Sequence, residues 1–375
     1  MKNISKYKID ISIVLCIIIF AIISIVTIGS AERLLDESTN LAFKQTLWYI
    51  SGFIIAFFIV FIGNHILYKN TWFLYVFGII LLILVLIFGK EINHAKCWFQ
   101  IPGIGTFQPS EFMKIILIIT LGNMINKFKN KYNNPTLVEE FKFLLKVGII
   151  VGIPSILTFL QPDTGVVLIY LLITIVMLFI AGIRYRWFII AFGILLGFIG
   201  IVLITYFINN DLFINIFGSS FFLRVDRLLD WSNGSGYQLE NGITSIGSGG
   251  LLGYGINNTP IYFPEPQTDF IFAVFANNFG FFGSATLLIL ITFFDLKLVK
   301  LAIESPNNIN KYIISGIIGM LLYQQLQNIG MTIGIMPITG ITLPFISYGG
   351  SSLLSYMIML GIILNISNEN IRYRN

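Results

Sequence analysis

A single carboxylate is prominent in the segment FPEPQTDF, where a polar stretch of the sequence runs into a long apolar one. Asp269 follows Pro264 and Pro266, whose restricted backbone angles stiffen the chain in front of it. A carboxylate held at such a boundary has the placement that a general base requires. Asp269 or Thr268 can equally cap the following helix, because oxygen acceptors and negative charge stabilise a helix N-terminus. The residues alone leave both interpretations open.

An acid and base pair begins another apolar stretch, in the segment KCWFQIPGIGTFQPSEFMK. Glu111 and Lys114 are three residues apart, so they lie on one face of a helix. Such a pair is commonly a modest structural ion pair, and Trp98 in the preceding loop is commonly an interfacial anchor. However, charges persist in an apolar membrane helix only when they are paired or face a polar cavity. A functional interpretation therefore stays open beside the structural one.

The longest polar loop, residues 209–268, carries arginines and a glycine-rich run. Arg224 and Arg227 can fork onto phosphate oxygens, and the glycines of GSGGLLGYG let backbone amides approach an anion. Tyr237 and Gln238 lie between these two groups and are further candidates for substrate binding. A flexible hairpin with solvated arginines explains the same residues equally well.

Side-chain amides stand inside two apolar stretches, at Gln324, Gln325, Gln327 and Asn328 in one and at Asn277 and Asn278 in the other. In membrane helices such amides most often bind helices to one another. They can also line a groove for a polar lipid headgroup. The sequence does not distinguish these two uses.

Membrane helices must position these residues, because the composition excludes a water-soluble fold. Hydrophobic residues make up 56% and charged residues only 11% of the 375 residues. The apolar runs reach roughly 17 to 25 residues, which suits α-helical spans and exceeds the strands of a β-barrel. Cys16 and Cys97 provide neither a disulfide framework nor a metal cluster, and we expect both to be structural.

Ten apolar stretches predict an all-α polytopic membrane protein with about ten transmembrane helices, in one domain over residues 1–375. Their centres lie near Ile19, Ile55, Leu81, Ile118, Ile153, Ile173, Leu195, Ala285, Met320 and Met359. Cytoplasmic N- and C-termini put most lysines and arginines inside, as the positive-inside rule requires. Residues 90–111, the long loop 209–268 between spans seven and eight, and residues 334–350 then lie outside. The short inner loops contain no Walker-type phosphate loop, and nothing indicates a nucleic-acid partner.

The run NIGMTIGIMPITGITLPFISYGGSS, residues 328–352, closely resembles the signature of the shape, elongation, division and sporulation family, which includes RodA, FtsW and SpoVE. The segments FQPSEFMK, QPDTG and PEPQTDFIFA resemble the family's other motifs in the same order, so the resemblance covers essentially the whole chain. Within the signature we expect a structural motif of six residues: Pro337, Gly340, Ser347, Gly349, Gly350 and Ser351.

The resemblance implies a ten-span bundle that polymerises the lipid-linked precursor lipid II into glycan strands at the outer face of the bacterial cytoplasmic membrane. Carried over by motif, the family's essential aspartate falls on Asp269. Its loop tryptophan falls on Trp98 and its acid and base pair on Glu111 and Lys114, which we expect to bind substrate. The implied partner is a class B penicillin-binding protein, whose transpeptidase domain cross-links the strands.

Two positions depart from the family's usual pattern. Members usually have His before the Thr-Asp pair, where this chain has Gln267, so a histidine proton shuttle is missing. They also usually have two acids in the following helix, where this chain has Asn277 and Asn278. Asp269 itself is retained.

In the expected reaction, Asp269 accepts the proton of a sugar 4-hydroxyl while that oxygen attacks the anomeric carbon of the growing strand. Undecaprenyl pyrophosphate leaves, with inversion at the anomeric carbon. The leaving group needs positive charge, and a divalent cation is a possible source beside the side chains. The candidate cations, in decreasing order, are Arg224, Arg227, Lys96 and Lys114. Two alternatives stay open, a lipid II flippase and a scaffold for the penicillin-binding protein. The motifs do not distinguish elongation, division and sporulation.

Overall fold

The computed structural model describes residues 10–35, 40–92, 95–101, 105–218, 221–222, 225, 231 and 236–374. Thirteen helices have defined bounds within these ranges. They are α1 (Ile11–Glu32), α2 (Leu41–Ile62), α3 (Asn64–Lys69), α4 (Thr71–Phe88), α5 (Pro109–Lys131), α6 (Leu137–Leu160), α7 (Thr164–Ile180), α8 (Tyr185–Ile208), α9 (Asn210–Phe217), α10 (Tyr237–Ser248), α11 (Ile271–Glu304), α12 (Asn308–Thr332) and α13 (Gly350–Arg374).

The ten predicted spans coincide with the ten longest helices, α1, α2, α4 to α8 and α11 to α13. Among the described residues, α1, α2, α4, α6, α8 and α13 are long and apolar enough to cross a membrane. The prediction of an all-α polytopic membrane protein is thereby confirmed, and the count of ten crossings stays a prediction. Helices α5 and α12 carry more polar side chains, which they bury in the interior of the bundle.

Close helix contacts through glycine hold the interior of the bundle together. A Cβ at Gly316 of α12 would lie 2.7 Å from Met177 Sδ in α7, and one at Gly361 of α13 would lie 2.8 Å from Ile59 Cβ in α2. Lipid is as apolar as a side chain, so membrane helices associate through such van der Waals packing and not through the hydrophobic effect. The amides of α12 therefore sit in a tightly packed centre.

A small antiparallel sheet forms in the loop between α4 and α5, outside the helical bundle. Its strands are β1 (Lys90–Ile92), β2 (Ala95–Ile101) and β3 (Gly105–Phe107), in that spatial order. Phe99 and Phe107 are register partners and their rings stack at 6.4 Å, while Phe107 also packs on Phe112 of α5 at 5.0 Å. Sequence analysis did not predict this sheet, which fixes Trp98 against the end of the bundle.

Helix α11 is broken at Gly280, where φ is 63° and ψ is −160°. The glycine-rich loop after α10 completes the hydrogen bonds that the break leaves open. Four backbone bonds join loop and helix: Tyr254 N to Asn277 O at 3.0 Å, Gly255 N to Asn278 O at 3.0 Å, Phe281 N to Gly250 O at 2.9 Å and Phe282 N to Leu251 O at 3.2 Å. The amides of Tyr254 and Gly255 thus bind helix carbonyls, so these two amides are not available to an anion.

Helix α8 lies apart from the bundle, and Val202 is the one buried residue within it. At its first turn Trp187 Nε1 donates to Glu140 Oε2 of α6 at 2.9 Å, and Arg184 Nε lies 3.8 Å from the same oxygen. At its far end Tyr206 packs edge-on against Phe213 of α9. The surface between these ends is available to lipid.

Candidate active site

A cavity of about 460 Å³ opens at one end of the bundle. Its size falls within the roughly 300–1,000 Å³ that is usual for small-molecule sites. Its walls come from β2 and β3, from the turn before α11, and from the segment between α12 and α13. These belong to the three polar segments that sequence analysis placed outside, so the fold brings all three together. Helices α2, α5, α7 and α12 and the first turn of α13 complete the walls.

Asp269 lines the cavity in the turn just before α11. Its carbonyl oxygen accepts a 2.9 Å hydrogen bond from the side-chain amide of Asn328, which also donates to the carbonyl of Ile341 at 2.8 Å. The N-cap of α11 is Phe270, with no side-chain hydrogen bond, so the capping interpretation of Asp269 is wrong. Burial raises the pKa of Asp269 to about 7, with a further increase from the charge of Glu265. Its carboxyl therefore titrates where a general base works best.

Gly340 lies directly beside the carboxyl of Asp269. A Cβ at this position would be 3.5 Å from Asp269 Oδ2, and the φ of +70° is one that residues with a side chain rarely adopt. Thr268 donates from its hydroxyl to Glu265 Oε2 at 2.9 Å, and it does not cap α11 either. The backbone angle at Gly340 therefore favours glycine, and a methyl group there would be in ordinary van der Waals contact with the carboxyl of Asp269.

Glu111 and Lys114 form a buried ion pair under the cavity. Lys114 Nζ lies 2.7 Å from Glu111 Oε2, and the lysine side chain is fully buried. The ammonium is also 5.4 Å from the ring centroid of Tyr356, whose hydroxyl accepts a 2.8 Å bond from Gln324 Nε2. Glu111 and Gln324 line the cavity, but Lys114 does not. In this arrangement the lysine neutralises Glu111 and does not itself reach the cavity.

Asp163 is a cavity residue that sequence analysis did not include among its site residues. Its Oδ2 accepts from Gln108 Nε2 at 2.8 Å and from the Ser110 hydroxyl at 3.4 Å, and its Oδ1 accepts from the Val166 amide at 3.2 Å. Burial raises the pKa of Asp163 to about 6, although the bond from Val166 opposes this shift. The segment QPDTG was the available signal, because it resembles a family motif.

The residues of the predicted structural motif join separate walls of the cavity. The Ser347 hydroxyl donates to the carbonyl of Thr268 at 2.7 Å, and the Ser351 hydroxyl accepts from the backbone amide of Gln108 at 2.9 Å. A Cβ at Gly350 would come within 2.6 Å of Cε2 of Trp48. The remaining contacts are the Pro337 carbonyl with Gln327 Nε2 at 2.8 Å and the Gly349 amide with Gln45 Oε1 at 3.4 Å.

Several predicted substrate-binding residues do not line the cavity. Lys96 donates to the carbonyl of Ile87 at 2.9 Å, Gln238 donates to the carbonyl of Pro264 at 3.1 Å, and Tyr237 is exposed. Trp98 does line it. Arg224 and Arg227 lie outside the described residues. A role for any of these residues in binding substrate stays a prediction.

A divalent cation held by protein ligands alone would need several carboxylate or similar ligands in one place. Within the part of the chain that the structure describes, no three His, Cys, Asp or Glu side chains form a group that could hold a metal ion. No site built from protein ligands alone is therefore indicated among these residues, and a divalent cation bound partly by substrate phosphates stays a prediction.

Comparison with known families gives a match over almost the whole sequence. The model of the cell cycle protein family of FtsW, RodA and SpoVE matches residues 7–372. Stage V sporulation protein E of Bacillus subtilis is 35% identical over 277 residues, 71% of this chain and 70% of that protein. The probable peptidoglycan glycosyltransferase FtsW of Wigglesworthia glossinidia brevipalpis is 34% identical over 372 residues, 94% of this chain and 92% of that protein.

Solved structures share the fold over the full length. A chain of a peptidoglycan synthase complex that coordinates polymerization and crosslinking superposes with a TM-score of 0.77 and 28% identity, covering 98% of this chain and 99% of its own. The rod shape determining protein RodA of Thermus thermophilus gives a TM-score of 0.70 and 28% identity, with 98% of both chains covered.

Proposed function

The chain belongs to the cell cycle protein family of FtsW, RodA and SpoVE, and on this premise we propose that it is a peptidoglycan glycosyltransferase that polymerises lipid II. The reaction takes place at the outer face of the cytoplasmic membrane, with both termini of the chain in the cytoplasm. One observation carries the proposal: the carboxyl of Asp269, with a pKa raised to about 7, lies in the wall of an open cavity next to Gly340.

Asp269 acts as the general base in this proposal. It takes the proton from the 4-hydroxyl of an incoming sugar as that oxygen forms a bond to the anomeric carbon of the growing strand. The bond from that carbon to the pyrophosphate oxygen breaks, and undecaprenyl pyrophosphate leaves with inversion. A positioned base contributes typically about 10²- to 10⁴-fold, and a pKa near the working pH serves it best.

The leaving pyrophosphate needs positive charge at its oxygens. Lys114 is fully buried and its ammonium forms an ion pair with Glu111 at 2.7 Å. Other cations are therefore better candidates for stabilising the pyrophosphate. Arg224 and Arg227 keep the first place among the candidates, because the loop that carries them precedes the turn of Asp269. Arg224→Ala and Arg227→Ala should each slow polymerisation and leave the pH at half-maximal rate unchanged.

The test is polymerisation of lipid II by the purified chain and by Asp269→Asn and Asp269→Ala. Both variants should lose about 10²-fold or more of the rate. Asp295→Asn is the matched control, because Asp295 is another buried carboxylic acid, hydrogen-bonded to Gln325 at 3.3 Å, that does not line the cavity. Equal rates for wild type, Asp269→Asn and Asp269→Ala would remove the aspartate from the mechanism.

A flippase for lipid II is the alternative function. Of the α12 amides, Gln324 lines the cavity. Gln325, Gln327 and Asn328 bond to Asp295 and to backbone carbonyls inside the protein, which favours a helix-binding role for them. Vesicles reconstituted with the chain and a fluorescent lipid II distinguish the two functions. Movement of the lipid across the bilayer without polymer would support the flippase.

A class B penicillin-binding protein is the proposed partner. Support comes from the similarity to a chain of a peptidoglycan synthase complex that coordinates polymerization and crosslinking. Polymerisation should rise when the purified partner is added, and the two chains should elute together in detergent. A scaffold with no activity of its own would give no polymer with Asp269 intact, either alone or with the partner.

A further inference from the structure

Two tryptophans face the same cavity from different elements. Trp48 comes from the first part of α2 and Trp98 from β2, and both are half-buried side chains in the cavity wall. Sequence analysis singled out Trp98 and gave no role to Trp48. An indole presents a large rigid surface at small entropic cost, so it suits recognition of a flat ligand face.

The position of Trp48 is fixed by glycines of the surrounding segments. A Cβ at Gly350 would lie 2.6 Å from Cε2 and 2.8 Å from Cζ2 of the indole, so the backbone of α13 packs directly on its six-membered ring. Gly105 of β3 comes near the same ring, because a Cβ there would lie 3.9 Å from Cζ2. The indole of Trp48 is therefore held by its packing. The part of it that is not buried contributes to the cavity wall.

Carboxyl and amide oxygens in the cavity wall are hydrogen-bond acceptors, and the hydroxyls there can donate or accept. Gln324 is 1% exposed, its Nε2 is bonded to Tyr356, and its Oε1 has no partner. The buried hydroxyl of Thr339 has no partner either. The carboxyls of Asp163 and Asp269 also face this space. A ligand that supplies hydroxyl or amide donors can bond to the carboxyl oxygens of the wall, whereas a threonine hydroxyl can pair with either a donor or an acceptor.

The wall also carries several acidic side chains. Asp163, Glu265 and Asp269 line the cavity, together with Glu111, whose charge Lys114 neutralises. Among the described residues that line it there is no lysine or arginine, and Lys114 below it is paired with Glu111. A pyrophosphate group brings negative charge and acceptor oxygens, so this wall disfavours it.

We propose that the cavity is a subsite for the uncharged pyranose rings of an N-acetylated glycan, with Trp48 as a stacking surface, and that the pyrophosphate stays outside it. The inference rests on the proposed function for the identity of the glycan, because the indole and the carboxyls of the wall indicate only a ligand with a flat apolar face and hydroxyl donors. Trp48 is a binding residue in this account, and Asp269 remains the group that acts on the sugar hydroxyl.

The test is binding of N,N′-diacetylchitobiose, a lipid-free disaccharide of N-acetylglucosamine, to the purified full chain in detergent. Saturation-transfer difference NMR reports which sugar protons contact the protein and gives the dissociation constant by titration. Trp48→Ala should weaken binding about tenfold, and Trp48→Phe, which keeps a ring on Gly350, should weaken it less. Inorganic pyrophosphate at the same concentration should not displace the sugar.

Trp72→Ala is the matched control. Trp72 is 49% exposed on α4, where it packs edge-on against Tyr75, and it does not line the cavity. This variant should bind the disaccharide like wild type. No binding by wild type, equal binding by Trp48→Ala and Trp72→Ala, or displacement by pyrophosphate would overturn the subsite.

The outcomes separate this inference from the proposed function. Asp269→Asn should lose polymerisation, whatever its affinity for the disaccharide. If wild type binds the sugar through Trp48 and forms no polymer from lipid II, the subsite stands and the glycosyltransferase proposal fails. If wild type forms polymer and its disaccharide binding is unaffected by Trp48→Ala, the function stands and the subsite fails.

Discussion

The side-chain amide of Asn328 holds the backbone of Asp269, with its nitrogen 2.9 Å from the aspartate carbonyl oxygen. The same nitrogen lies 2.8 Å from the carbonyl oxygen of Ile341. One side chain of α12 thus fixes the turn that carries the carboxyl against the segment that carries Gly340. The position of the proposed base is therefore set by a helix distant from it in sequence.

Asn328→Ala should reduce polymerisation about 10²-fold, because small displacements of a reacting group have effects of that size. Two buried carbonyls also lose their donor, at about 1–3 kcal/mol each. Asn370→Ala is the control, since Asn370 makes a similar buried bond to the Leu301 carbonyl at the other end of the bundle, at 2.9 Å. Thermal unfolding and polymerisation rate are measured on both variants. Equal losses of activity would contradict a positioning role for Asn328.

The polymerisation rate should rise with pH through about 7 and then level off. The proposed base must be ionised to accept a proton, and burial raises the pKa of Asp269 to about 7. Initial rates on lipid II between pH 5.5 and 8.5 check this. Asp269→Asn should abolish the rise along with the activity. A rate independent of pH in wild type would count against Asp269 as the base.

Asp269→Asn should stabilise the fold above pH 7. The pKa of Asp269 is about 7 in the folded chain against an ordinary value of 3.8, so the folded state binds the proton more tightly. The free energy of unfolding therefore falls as pH rises from about 4 to about 7. An amide cannot ionise, so in the variant the unfolding free energy should fall less steeply with pH. The contribution of Asp163 to this fall remains. Unfolding midpoints of wild type and variant at pH 5 and pH 8 measure the difference. A variant less stable than wild type at pH 8 would contradict the prediction.

Lys114→Met should lower the unfolding temperature markedly, because it leaves the buried Glu111 without its 2.7 Å partner. Removing one member of a buried pair costs about 3–5 kcal/mol, and replacing both members costs much less. The double variant Glu111→Gln with Lys114→Met should therefore be more stable than Lys114→Met alone. Additive losses in this cycle would show that the two side chains do not act as a pair.

Gly340→Ala should lower the stability of the fold, and with it the activity, because it strains the backbone beside Asp269. The added methyl group would lie 3.5 Å from Asp269 Oδ2, and the backbone φ of +70° is unfavourable for alanine. Gly148→Ala in α6 is the control, because nothing lies within 4 Å of its added methyl and alanine favours a helix. Polymerisation and unfolding midpoints are compared, and wild-type stability of Gly340→Ala would contradict a need for glycine at this backbone angle.

Hydropathy predicted the helices well, because in lipid a spanning segment must be a long apolar helix whatever its neighbours are. Motif spacing in turn marked Asp269, Trp98 and Glu111, all of which line the cavity. Their roles remain predictions until the variants are tested.

The parts that sequence missed depend on contacts between distant segments. Asp163 becomes a cavity residue through Gln108 of another element, and Trp48 through Gly350 near the other end of the chain. The small sheet around Trp98 has short strands without a strong alternating pattern. The glycine-rich run resembled an anion cradle because glycine serves equally where two backbones approach closely.

The glycine-rich loop supplies the hydrogen bonds that are missing at the break in α11. The carbonyls just before Gly280 and the amides just after it are bonded to residues 250–255, which are far from the helix in sequence. An epitope tag inserted between Gly250 and Gly255 would therefore remove the hydrogen bonds that bridge the break in α11. The half of the helix that begins beside Asp269 would then be less firmly held. Genetic variation in this stretch should accordingly be restricted in composition and in length, although the stretch is not part of the cavity wall.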